Sequence, residues 1–336
     1  MNFFSKVDLP VTDLKINYNS RLAFFGSCFA DNISAQFTAR KFNVLANPFG
    51  TVYNPVSLES QIKAITDGKV FGEDDVFQDT RCDGLWHCWD AHSSLSGATK
   101  EECIGKLNAA TTQARDFLQK ADAVFITLGT AFVYYLKDSG KPVSNCHRQD
   151  PNLFTRRMIS VDEATEAIRE IVENLRRITA TTENTNSHEP RIVFTVSPIR
   201  HKGDGAHGNN LSKATVLLGI EKAIAEIAAS PSAPRNDAVT YFPSYEIVMD
   251  ELRDYRFYAD DMIHLSKTAE EYIFEQMTET YCDSTTREIM AKVEKFMKMA
   301  NHRIQDESSP ATQQLKKKIA VQAAELEKQI PGLSLR

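Results

Sequence analysis

The sequence contains no run approaching the roughly 20 consecutive apolar residues that cross a bilayer. Its first residues, MNFFSKVDLPVTD, show neither a sustained apolar stretch nor a small-residue cleavage site. Neither a membrane span nor an export signal is expected, and the reading is cytoplasmic. Positive charge is not in excess: 39 Lys and Arg face 45 Asp and Glu, a net charge of −6. That excludes the global basic field that recruits nucleic acid, and the Lys316-Lys317-Lys318 run reads as a solvated helix face. The six cysteines (Cys28, Cys82, Cys88, Cys103, Cys146, Cys282) form no tight framework, so mostly free thiols in a reducing compartment are expected. Gly26 stands alone after the first apolar run, without the glycine fingerprint of a dinucleotide site, and no phosphate-binding P-loop is present. No cofactor is expected. Internal repeats and low-complexity tracts are also lacking.

What is present is an ordinary globular composition, 42% hydrophobic and 25% charged over 336 residues, enough for one large α/β domain with an appendage. Five short runs rich in Val, Ile and Phe read as buried strands: Leu22–Phe25, Phe42–Ala46, Ala123–Leu128, Arg191–Val196 and Ala238–Phe242. Helical periodicity falls between them, at Ser57–Ile65, Ile104–Lys120, Asp162–Ile178 and Ser212–Ala229. Ser160 and Glu163 have the spacing of a capping box, and Ser212 is expected to be an N-cap. Strand and helix in alternation imply a mostly parallel sheet covered on both faces. The order of its strands does not follow from spacing. Beyond about Ser284, Thr285–Arg303 and Gln313–Ile330 are long charged helical segments separated by the polar linker Gln305–Thr312. The expected division is therefore an α/β domain over 1–284 and a helical extension over 285–336, the latter a candidate surface for homo-oligomers.

In such a sheet, the loops leaving the carboxyl ends of the strands converge on one crevice, and here they hold the unusual chemistry. The first strand exits into Gly26-Ser27-Cys28-Phe29-Ala30. A helix starting there would place Ser27 and Cys28 at its N-terminus, where free N–H groups and the helix dipole lower a thiol pKa and stabilise an oxyanion. In isolation, the same residues also fit an N-cap serine and a small buried cysteine. Asp261 and His264, three residues apart, can lie together so that the carboxylate fixes the imidazole tautomer. A surface ion pair would use the same spacing.

Taken together these loops resemble the GSCFA family, a bacterial branch similar to the SGNH/GDSL hydrolases. The resemblance begins with Gly26-Ser27-Cys28-Phe29-Ala30 and continues through Asn47-Pro48-Phe49-Gly50, Tyr53-Asn54-Pro55, Trp86-His87 with His92-Ser93, and Leu128-Gly129-Thr130-Ala131. It extends over Asn145-Cys146-His147, Ser197-Pro198-Ile199-Arg200-His201 and Arg253–Tyr258 to Asp261-Met262-Ile263-His264, roughly residues 20 to 280. It implies a flavodoxin-like three-layer sandwich. Cys28 falls on the nucleophile of the better-known relatives and Ser27 on their Asp; thiolate chemistry favours Cys28, with Ser27 the alternative. The resemblance makes Gly50 and Gly129 backbone positions of the oxyanion hole. Ala131 stands where an Asn normally completes it, so Thr130 is the substitute donor. Asp261 and His264 match the final block, while Leu265 replaces the usual Pro.

Arg200 and His201, in a Gly-rich loop, read as a clamp for a substrate carboxylate or phosphate, and His92 and Asn54 as pocket residues. The Trp86–His92 segment with Cys82 lacks zinc-ligand spacing and reads as a packed lid or substrate wall; no metal is expected. Two functional readings follow: an ester or thioester hydrolase or acyltransferase, and a protein that holds a glycan or acyl ligand without turning it over.

Overall fold

The computed structural model describes residues 5–180, 189–229, 238–301 and 309–335. Five strands form one parallel sheet: β1 (Arg21–Gly26), β2 (Asn43–Ala46), β3 (Ala123–Leu128), β4 (Arg191–Val196) and β5 (Val239–Tyr241). Their spatial order is β5-β4-β3-β1-β2, the flavodoxin-like arrangement, whose switch point lies between β1 and β3.

Period-two alternation sorts each strand between two cores. Ala23 and Phe25 of β1, with Val124 and Ile126 of β3, face the core capped by α2 (Pro55–Asp67), α3 (Lys100–Leu118), α4 (Val161–Ala180) and α5 (Gly205–Ala229). Leu22 and Phe24, with Phe125, face the other core, against Phe29, Ile33 and Phe37 of α1 (Cys28–Ala39) and Ile273 and Phe274 of α6 (Lys267–Tyr281). This is a three-layer α/β sandwich. Two charged helices follow, α7 (Ser284–Ala300) and α8 (Pro310–Gln329). Met290, Val293, Ile330 and Leu333 join the second core, so this extension packs on the sheet's own covering layer. Of the expected linker, residues 305–308 lie outside the described residues, as do 302 and 303 of the preceding segment; Ser309 is the N-cap of α8.

The capping box forms as expected: Glu163 N–H donates to Ser160 Oγ at 3.1 Å and Ser160 N–H to Glu163 Oε2 at 2.8 Å. Ser212 is not an N-cap. Helix α5 begins at Gly205, and Ser212 is buried two turns inside it, accepting from Ala131 N–H at 2.7 Å. Most of the expected Gly-rich loop is thus helix, because tertiary tethers such as Asn209 Oδ1 to His201 N–H override the weak propensity of glycine. Spacing also gave no sign of a three-stranded antiparallel sheet built from Phe132–Leu136, Pro142–Val143 and Phe154–Met158. Among the described residues no helix is long and apolar enough to cross a membrane.

Candidate active site

Gly26 ends β1 with φ +121°, a conformation open to glycine. The chain then turns into α1 with Ser27 as its N-cap and Cys28 as its first residue. Ser27 is 1% exposed; its Oγ accepts from Phe29 N–H at 3.3 Å. Cys28 is half-buried and free. The helix terminus does not bring its thiol pKa below the ordinary value. Burial pushes it above its ordinary value and Asp31 adds to the rise, outweighing the thiol's hydrogen bonds to the N–H groups of Cys28 and Phe29 and the charge of Lys213.

Asn47 joins three parts of the site. Its Oδ1 accepts from Gly26 N–H at 2.8 Å, its Nδ2 donates to Asp31 Oδ1 at 2.7 Å, and its carbonyl closes the turn that carries Gly50.

That turn overturns one expectation. The Gly50 N–H, expected to face an oxyanion, donates to Asn47 O at 2.7 Å, and a Cβ on Gly50 would meet His92 Cβ at 2.1 Å. Gly129 and Thr130 are similarly engaged: both N–H groups donate to Tyr53 O, at 2.7 and 3.0 Å. The Thr130 hydroxyl lies 2.9 Å from Ser212 Oγ and accepts from Phe132 N–H. Buried backbone groups require partners, and here the neighbouring loops supply them.

Asp261 Oδ2 lies 2.6 Å from His264 Nδ1, while Asp261 Oδ1 accepts from the N–H groups of Ile263 and His264, each at 2.9 Å. The imidazole contact and these backbone bonds hold the Asp261 carboxyl well below the usual carboxylate range. Both side chains are about half exposed. His264 makes no hydrogen bond to Cys28 or Ser27 among the described residues. Its charge reaches Glu270 on α6, and Glu270 in turn accepts from Asn32 on the same helix as Cys28.

The Asp261–His264 loop walls a trough. A cavity of about 170 Å³ is lined by Arg200, His201, Lys202, Asn209, Met262 and Ile263. A second, of about 550 Å³ with Met249, Leu252, Tyr255 and Tyr258, shares Arg200 and Met262 with it. Lys202 Nζ donates to Asp261 O at 3.0 Å, tying the β4 loop to this wall. Arg200 binds the neutral groups Asn210 Oδ1 and Met249 Sδ. His201 packs edge-on against Tyr53, and burial lowers its pKa. His92 and Asn54 make local capping contacts. His92 Nδ1 accepts from Ser94 N–H at 3.2 Å, and the buried Asn54 caps α2 through Ser57 N–H at 2.8 Å.

Trp89 stacks on Phe77 at 3.8 Å, part of an aromatic packing that includes His87 and His147 at 4.4 Å. Asp79, Asp83 and His87 place ligand-type atoms within 4.8 Å of one another. Asp79, however, accepts from the N–H groups of Arg81, Cys82 and Asp83, and His87 bonds Ser96 Oγ and Asp83, so turn structure accounts for the grouping. Sequence reasoning missed Lys213, which is 1% exposed and interacts electrostatically with Cys28; a lysine in a helical run carries no sign of its burial.

The fold and this carboxyl-edge site define an α/β protein with its polar groups gathered at a sheet switch point. The GSCFA family profile matches residues 21–277, and the chain belongs to that family. No curated protein and no solved structure matches it.

Proposed function

We propose that the chain is an SGNH-type hydrolase or acyltransferase acting on an ester or thioester. Cys28 attacks the acyl carbon; Ser27, buried and committed to its cap, is the weaker candidate. His264 takes the Cys28 thiol proton as general base, passes it to the leaving group, and then activates water or an acceptor, with Asp261 fixing its tautomer. The observation that carries this reading is the 2.6 Å Asp261–His264 contact in the loop whose Met262 and Ile263 line a trough. It combines with Cys28 opening a helix at the sheet's switch point. Arg200 and His201, on the same wall, suit a polar or anionic part of the substrate.

A second reading, a protein that binds a glycan or acyl ligand without catalysis, draws on the engaged N–H groups of Gly50, Gly129 and Thr130 and on Ala131. A panel of esters and thioesters on the purified protein separates the two. Cys28→Ala and His264→Ala are each expected to lose turnover by about 10³-fold or more, and Asp261→Asn by a similar factor. Full activity in either alanine variant removes this mechanism. An acyl probe that labels neither Cys28 nor Ser27 at neutral pH favours the binding reading.

A further inference from the structure

The two cavities meet at the loop that carries Asp261 and His264, and Arg200 and Met262 line both. The larger, about 550 Å³, falls within the roughly 300–1,000 Å³ of small-molecule sites. Its apolar wall has a local cause. Leu252 N–H donates to Ile247 O at 2.9 Å, five residues back, so Ile247–Glu251 is wound as one wide π-helix turn. Such turns recur at functional sites. This one sets Val248 and Met249 in the cavity lining, followed by Leu252. On the loop side, Met262 holds a left-handed φ of +58°, a costly conformation for a residue with a side chain. Met262 is 51% exposed and Tyr255, in the same lining, 80%. Large apolar side chains left open beside one cavity form a patch of the kind that marks a ligand site.

Charge decides what the ligand carries. Arg253 and Asp254 also line the larger cavity, but Arg253 pairs with Asp250 at 3.4 Å and Asp254 with Arg256 at 3.7 Å. In the smaller one, Lys202 is held by Asp261 O at 3.0 Å. Arg200, the cation common to both linings, has no carboxylate partner among the described residues. It contacts only Asn210 Oδ1 at 3.3 Å and Met249 Sδ at 3.0 Å. A guanidinium offers a planar fork of N–H donors that matches a carboxylate. Against a thioether and an amide, most of that capacity goes unused.

We propose that the trough binds an apolar molecule bearing a free carboxylate. The carboxylate sits on Arg200 where the cavities meet, and the apolar or aromatic body lies against Met249, Leu252 and Tyr255. A single guanidinium matches a single negative charge; a phosphate monoester, at nearly two, would leave charge unmet. The inference rests on the acyl-transfer reading in one respect, that the bound molecule is the substrate. The substrate class is then an ester or thioester that carries a carboxylate on an apolar body.

The test is titration calorimetry on the full chain at neutral pH with probes that share one body: 4-phenylbutyrate, 4-phenylbutanamide and 3-phenylpropyl phosphate. Wild type is expected to bind the carboxylate about tenfold more tightly than the amide, and the phosphate no more tightly than the carboxylate. Arg200→Gln is expected to bind carboxylate and amide alike, and Arg200→Lys to keep part of the preference. Tyr255→Ala is expected to weaken both probes by the same factor, about threefold. Equal affinity of wild type for carboxylate and amide overturns the proposal, and that comparison needs no variant that could misfold. A preference that survives in Arg200→Gln overturns it too. Tighter binding of the phosphate overturns the carboxylate assignment. A carboxylate preference in a protein that turns over no ester would defeat the hydrolase reading and leave this site standing. Cys28-dependent turnover without the preference defeats only this inference.

Discussion

A Cβ on Gly26 would lie 2.0 Å from the carbonyl oxygen of Thr127, its partner on the neighbouring strand. That oxygen also accepts from Ser27 N–H at 3.1 Å, so it fixes where β1 ends and α1 begins. The approach is backbone against backbone, and φ is +121°. Gly26→Ala is therefore expected to cost roughly 3 kcal/mol or more, or to prevent folding, because both the clash and the backbone conformation oppose it. Denaturant unfolding measures this; a loss under about 1 kcal/mol would show that the turn relaxes freely.

Ser27 and Cys28 are adjacent but separable. Ser27→Ala removes the N-cap of α1 and is expected to lower stability by about 1 kcal/mol while retaining Cys28-dependent turnover. Cys28→Ser keeps the fold and exchanges the thiol for a hydroxyl, and its turnover of thioesters is expected to drop sharply. Thermal melts and initial rates on both variants check this. Turnover that vanishes in a stable Ser27→Ala protein would transfer the nucleophile to Ser27.

His147 is expected to make the fold sensitive to acid. Its ring is buried, stacked on His87, with Nε2 2.8 Å from Cys88 O, and burial pushes its pKa down to about 4. In the unfolded chain it titrates near 6.5. Between these values the unfolded state binds the extra proton, so stability is intact above about 6.5 and falls as pH drops toward about 4, by a total of order 3 kcal/mol. His147→Asn, which tolerates the positive φ at this position, is expected to flatten that limb. Urea midpoints across the window measure it, and identical slopes in the two proteins would exclude His147 as the cause.

Much of the architecture was legible in the sequence because it rests on local pattern. Apolar runs such as Ala123–Leu128 and Arg191–Val196 became strands with matching ends, and Ser160 and Glu163 capped α4 as their spacing implied. The Gly26–Ala30 run fell on a strand–helix junction. Less of the site was legible. Gly50, Gly129 and Thr130 matched the motif by position, yet whether their N–H groups are free depends on Asn47 O and Tyr53 O. Asn54 and His92 are polar residues in motif loops, and nothing local separates an N-cap from a substrate contact.

By itself, the sequence determined the five strands of the main sheet, the helices between them and the order of the motif loops, since periodicity and capping act over a few residues. Only the tertiary structure decided the strand order β5-β4-β3-β1-β2, the burial of Lys213 and the engagement of the oxyanion donors. Hydrogen-bond partners and desolvation arise between residues far apart in the chain, such as Lys213 and Ser197 on different elements or Thr130 and Ser212. No spacing along the chain encodes those meetings; packing sets them.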